Sequence, residues 1–276
     1  MAKLNAVNPD AGVVLLGICS DENSSFMKGA AEAPEAIRAA LHSGAANLTS
    51  ELGICLDNHP RFEDAGNFVP DAGAGGFMAI EETIAAILHG HRRPLIIGGD
   101  HAITYPILRA VYAHHGPVNI LHFDAHPDLY DELDGNRLSH ASPFARIMEQ
   151  GLAKKVVQVG IRTLNAHQKE QARRFGVITH EMKSFASESF HLPFGGPLYL
   201  SFDMDALDPA YAPGVSHLEP GGLSVRQVLS IVHRLSVPVV GADIVEYNPR
   251  RDLHEMTAMV GAKLVKEIAG KMLSGK

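Results

Sequence analysis

Strand-length apolar runs alternate with helix-period segments along this chain, and that alternation restricts the fold to a parallel α/β sheet. Six runs read as strands: Val13–Ile18, Val118–Phe123, and residues 94–97, 156–161, 197–202 and 237–244. Their apolar residues are continuous rather than every second one, as expected when both sheet faces are covered. Helical patterns fill residues 34–41, 77–89, 105–115, 142–149, 164–174, 224–235 and 255–273. Pro34 suits a first helical turn, and Ser224 suits an N-cap. In the final helix Met256, Met259, Val260, Leu264, Ile268 and Leu273 recur close to the helical period. Alternating elements of this kind lay helices on both faces of one sheet. The expected class is therefore α/β, a three-layer αβα arrangement around a mainly parallel, doubly wound sheet. Residues 53–76 are rich in Gly, Pro, Asn and Asp and read as irregular, with room for one short edge strand. At 276 residues and 46% apolar content, with no repeat or low-complexity segment, residues 1–276 are expected to form one domain.

The charge balance excludes some functions. With 24 basic against 31 acidic side chains the net charge is −7, and no basic stripe occurs, so no nucleic-acid partner is expected. Cys19 and Cys55 stand in no CxxC or Cys/His cluster, which argues against thiolate zinc. They read as buried or half-buried thiols of a reducing, cytoplasmic protein. The start Met1-Ala2-Lys3-Leu4-Asn5 lacks the charged head and apolar stretch of a signal peptide. The apolar runs are strand-length, so no membrane contact is expected either.

Three short acidic segments follow the apolar runs: Gly98-Gly99-Asp100-His101, Asp124-Ala125-His126-Pro127-Asp128 and Asp203-Met204-Asp205. In parallel sheets, ligands bind beyond the carboxyl ends of the strands, where all three lie. Each alone would usually be a turn or a helix cap. Together they would repel one another and resist burial unless cations compensate them. Carboxylate oxygens mixed with imidazole nitrogens suit Mn²⁺ or a similar divalent ion, and a pair of such ions can activate water at neutral pH. Asp203 and Asp205, two apart, would project to one side of an extended backbone. Gly98-Gly99 would let the chain turn sharply before His101. Asp100 is given a capping or supporting role, because its neighbour already faces the site.

These segments resemble the signatures of the ureohydrolase family, the arginases, agmatinases and relatives. The longest runs Ser201-Phe202-Asp203-Met204-Asp205-Ala206-Leu207-Asp208-Pro209 and continues to Pro213-Gly214 and Gly221-Gly222. The likeness extends over nearly the whole chain. Within the family it is similar to plant-type arginases, through residues 134–149 and through Gly241-Ala242-Asp243-Ile244-Val245-Glu246-Tyr247-Asn248-Pro249. The resemblance implies an arginase-like fold and two Mn²⁺ per chain, other divalent ions being possible. His101, Asp124, Asp128 and Asp203 would hold one ion. Asp124, His126, Asp203 and Asp205 would hold the other. Catalytic roles fall to Asp128, His140 and Glu246: Glu246 pairs with a guanidinium, and His140 shuttles a proton. Asn136 and Ser139 would bind the far end of the substrate, beside Glu246 at its guanidino end. The implied reaction releases urea from a small guanidino compound, arginine first and agmatine or guanidinobutyrate as alternatives. The animal-type acidic pair after the Gly-x-Arg strand is absent, since Gly160-Ile161-Arg162-Thr163-Leu164-Asn165 meets no acid until Glu170. The family implies a homo-oligomer, a trimer or hexamer.

Two other classes fit these residues less well. A zinc deacetylase needs a paired-histidine motif at the site, but His114-His115 falls at a helix end. A non-catalytic binder would lack metal ligands, and none is missing. His89 and His91 also read as helix-end residues. His122 reads as a core residue or a support for Asp124, and His217 as a border of the substrate entrance.

Overall fold

The computed structural model describes residues 12–89, 92–193 and 195–274. His91 and the amino-terminal pentapeptide lie outside the described residues. The strands are β1 (Val13–Ile18), β2 (Phe62–Phe68), β3 (Arg93–Gly98), β4 (Val118–Phe123), β5 (Ala153–Ile161), β6 (Ile178–Glu181), β7 (Leu198–Asp203) and β8 (Val239–Val245). The helices are α1 (Ala33–Leu41), α2 (Ala74–Leu88), α3 (Thr104–His115), α4 (Pro143–Glu149), α5 (Ala166–Phe175), α6 (Val225–His233) and α7 (Met256–Ser274). All strand pairs are parallel, in one eight-stranded sheet of order β2-β1-β3-β8-β7-β4-β5-β6.

Neighbouring residues of one strand enter opposite cores, which is why the apolar runs are continuous. Val13 and Leu15 pack with Ile37, Val228 and Leu264 on one face. Val14, Leu16 and Ile18 pack with Ile84, Ile107 and Phe144 on the other. The two layers of helices close the αβα arrangement. Ser224 caps α6 in a reciprocal box, its hydroxyl accepting from the Gln227 amide and Gln227 Oε1 accepting from the Ser224 amide. Pro34 occupies the first turn of α1.

The outermost strands depart most from the sequence pattern. β2 is the edge strand for which residues 53–76 had room, and it is seven residues long. β6 was not expected. Its Ile-Thr-His-Glu residues are all half-buried, so no apolar run announces it. Cys19 is half-buried, but Cys55 is exposed, against the expectation for that thiol. No helix among the described residues is long and apolar enough to cross a membrane.

The strand order positions the site. β3, β8, β7 and β4 are adjacent, and their carboxyl ends lead into His101, Glu246, Asp203 and Asp124 respectively. Residues up to 145 positions apart in sequence thus meet at one rim of the sheet, as in the bond from the His101 amide to Glu246 Oε1 at 2.9 Å.

Candidate metal centre

The same local turn recurs at three strand ends. Asp100 Oδ1 accepts from the Ala102 amide at 3.1 Å, Asp124 Oδ1 from His126 at 2.6 Å, and Asp203 Oδ1 from Asp205 at 2.8 Å. Each leading aspartate caps its own turn. Asp205 consequently lies in a 3₁₀ turn, Met204–Ala206, rather than on the extended backbone expected for the Asp203/Asp205 pair. The turn delivers it to the site nonetheless. Arg162 braces this turn by donating to the Asp205 carbonyl at 2.7 Å.

The chain bends at Gly99-Asp100 before His101, as expected, and the two glycines permit it by allowing close packing. Neither has a positive φ. A Cβ on Gly99 would lie 1.5 Å from the Ser20 carbonyl oxygen, and one on Gly98 would lie 2.2 Å from Ile103 Cδ1.

Two imidazoles face the carboxylates. His101 Nδ1 lies 3.2 Å from Asp124 Oδ2, 3.0 Å from Asp128 Oδ2 and 3.2 Å from Asp203 Oδ2. His126 Nδ1 lies 3.3 Å from Asp124 Oδ1 and 3.0 Å from Asp205 Oδ2. His101, Asp124, Asp128, Asp203 and Asp205 are buried, while His126 is partly open. Despite its three acidic neighbours, the buried His101 Nδ1 has no hydrogen-bond partner. An imidazole nitrogen set among three carboxylate oxygens, and in hydrogen-bond geometry with none, is what a cation ligand looks like. Asp124, His126 and Asp205 form a second cluster with metal-ligand spacing. The mixed oxygen and nitrogen donors fit a pair of hard-to-borderline divalent ions.

The charges agree. Burial and the neighbouring Asp205 and Asp124 push the Asp203 carboxyl well up, and burial with Asp124 raises Asp128. Burial opposes charge on His101, yet Asp124, Asp128 and Asp203 pull its pKa well above the ordinary value. The cluster holds protons because it is short of positive charge.

His122 supports Asp124, as one of its two expected roles required. Gln158 Nε2 donates to the Pro127 carbonyl at 2.6 Å, which fixes the amide's orientation, and lies 3.0 Å from His122 Nδ1. Nδ1 is therefore an acceptor. The ring proton sits on Nε2 and is donated to Asp124 Oδ2 at 2.9 Å. Phe144 stacks on the ring at 3.9 Å, and burial keeps its pKa low.

Beside the acids lies a pocket of about 200 Å³, whose wall includes His126, Asp128, His140, Asp203, Asp205 and Glu246. Glu246 Oε1 accepts from the His101 amide and from His140 Nδ1 at 2.8 Å. Burial disfavours a charged His140, but Glu246 overrides it and raises the pKa to about 9. Ser25 Oγ stands 2.8 Å from His140 Nε2. Asp100 is fully buried, points its Oδ2 at the Asn23 amide, and is pushed up to about 7 by burial and Glu246. It has the supporting role expected of it.

Asn136 and Ser139 do not line this pocket. Ser139 is buried, with its hydroxyl accepting from the Ala141 amide, and Asn136 is exposed and donates to Asn23 Oδ1. Ser25, Tyr130, Thr163, Gln168 and His217 supply polar groups to the wall instead. His217 is thus part of the pocket wall. Ser25 and Gln158 escaped the sequence reading because neither stands in a motif. Glu170 pairs with Arg173 on an exposed helix face.

Comparison with known proteins places these features in context. The pattern of the Arginase family matches residues 11–270. The chain is 48% identical to "Arginase 1, mitochondrial" of Arabidopsis thaliana over 95% of its own length and 81% of that protein. The structure superposes on the arginase of Medicago truncatula with a TM-score of 0.88 at 42% identity, covering 95% of this chain and 88% of that one. A hypothetical agmatinase from Burkholderia thailandensis matches at 34% identity and a TM-score of 0.85, over 97% and 89% of the two chains. The expected cytoplasmic location is corrected by these relatives: the plant proteins carry mitochondrial or chloroplastic in their names.

Proposed function

The chain belongs to the arginase family, and we propose that it is a dimanganese arginase that hydrolyses L-arginine to L-ornithine and urea. One observation carries this reading: the buried His101 Nδ1, unbonded among three carboxylate oxygens. His101, Asp124, Asp128 and Asp203 would hold one ion, and Asp124, His126, Asp203 and Asp205 the other. When bound, the pair supplies Lewis acidity and an activated water.

The chain's own residues do the rest. Glu246 directs its carboxylate to the pocket, where a planar guanidinium can take parallel hydrogen bonds. That contact holds the guanidinium carbon over the acids. His140 holds a proton on Nδ1 beside the same carboxylate. As water oxygen bonds to the guanidinium carbon and the bond to the side-chain nitrogen breaks, that nitrogen needs a proton, and His140 can give it. Urea and the free amine leave. The described residues act as one domain in this scheme, and the working protein is read as a homo-oligomer.

Agmatine is a second reading, favoured by one feature: among the described residues, the pocket wall offers no lysine or arginine for an α-carboxylate. Urea release from arginine, agmatine and guanidinobutyrate, measured with and without added Mn²⁺, separates the two. Turnover of agmatine alone would sink the arginase assignment.

A further inference from the structure

Asp243 is a carboxyl in an otherwise apolar strand, β8, and it is fully buried. The scheme above does not use it. Ser201 donates to its Oδ1 at 2.7 Å, while Tyr199 and Thr104 donate to its Oδ2 at 2.8 and 3.0 Å. Among the described residues no lysine or arginine pairs with it. A buried acid answered only by neutral hydroxyls is costly unless it serves something further on.

Ser201 leads to that further group. It sits directly across from Asp243 in the β7–β8 ladder. Its hydroxyl proton is committed to Asp243, so its oxygen can only accept. The atom 3.0 Å from that oxygen is His101 Nε2. When the ring carries a single proton, as a metal ligand must, that proton resides on Nε2, which leaves Nδ1 bare and aimed at Asp124, Asp128 and Asp203.

We propose that Asp243 is a positioning residue: acting through Ser201, it fixes the tautomer of His101 and presents Nδ1 to a divalent ion. The inference rests on the reading of His101 as a ligand. Asp243→Asn would reverse the chain of donors. An amide that still accepts from Tyr199 and Thr104 turns its NH₂ toward Ser201, and Ser201 then donates to His101 Nε2. The ring proton moves to Nδ1, where it blocks the ion.

The test is calorimetric titration of Mn²⁺ into the full chain after chelation, with folding checked by circular dichroism. Wild type is expected to bind two ions. Asp243→Asn is expected to weaken one of them about 10-fold to 100-fold and leave the other within about threefold. Ser201→Ala should lose a similar factor, and it carries the prediction alone if Asp243→Asn does not fold. The double variant should lose no more than the weaker single one, because both cut one path. Thr104→Val, which removes a hydroxyl from the far oxygen of Asp243, should bind as wild type. Two ions bound equally well by wild type, Asp243→Asn and Ser201→Ala would overturn the positioning role alone. So would an equal loss in Thr104→Val, or additive losses in the double variant. A wild-type chain that takes up no Mn²⁺ overturns the ligand reading itself.

Discussion

Replacing Glu246 by glutamine isolates its charge from its shape. The backbone there is unusual, with a φ of 64°, and is held by the bond from its amide to the Gly99 carbonyl at 2.9 Å. That bond does not involve the side chain. Glutamine keeps the volume, and its Oε1 can still accept from the His101 amide and His140 Nδ1, so the fold should survive with a loss of at most about 3 kcal/mol, the share that the raised His140 pKa contributes. What disappears is the negative charge. A hydrogen bond to a charged group is worth about 1.5–3 kcal/mol, so arginine turnover should fall roughly 10-fold to 150-fold in kcat/KM. The His140 pKa, held at about 9 by Glu246, should drop toward its ordinary value. Urea release over a range of arginine concentrations gives the first number, and a proton NMR titration of the imidazole gives the second. Metal content and melting temperature serve as controls. A glutamine variant with intact metal content and kcat/KM within about threefold of wild type would refute the pairing of this carboxylate with the guanidinium.

Three further outcomes follow from the geometry. Gly99→Ala should abolish soluble expression or collapse the melting temperature, because its Cβ would overlap the Ser20 carbonyl oxygen, whereas Gly44→Ala, with nothing within 4 Å, should melt as wild type. In chelated protein, His140 has a folded pKa of about 9 against an ordinary 6.5, so its contribution is complete below pH 6.5 and is lost as pH rises through 9; chemical denaturation should show a loss of at most about 3 kcal/mol that is missing in His140→Asn. Gln158→Leu removes both the clamp on Pro127 and the donor to His122, so Mn²⁺ affinity should fall about 10-fold in calorimetric titration, and an unchanged isotherm would rule out support of Asp124 through His122.

The division between what the sequence discloses and what it hides has a physical cause. Metal-type donors at strand ends are legible because a local rule makes them so: Asp124 and Asp203 each spend one oxygen on their own turn, within two residues, and have another left for the site. Asp124 shows both halves, with Oδ1 taking the His126 amide and Oδ2 facing His101. The order β3-β8-β7-β4 obeys no local rule, since it is set by pairings such as Ile97 with Ile244, and no spacing along the chain reveals it. The polar residues behind the site are hidden differently. Asp243 and Gln158 lie inside apolar strands, where a lone polar letter does not break the pattern, and their meaning appears only when the neighbouring strand supplies Ser201 or His122. Even there a signal existed, because a carboxyl inside the 237–244 run had to be satisfied by something. Substrate choice is the least legible layer. Ser25, Tyr130, Thr163 and His217 come from four separate loops with no periodicity to connect them. A site whose chemistry is set by short-range turns and whose selectivity is set by loop meetings will always disclose its reaction class before its substrate.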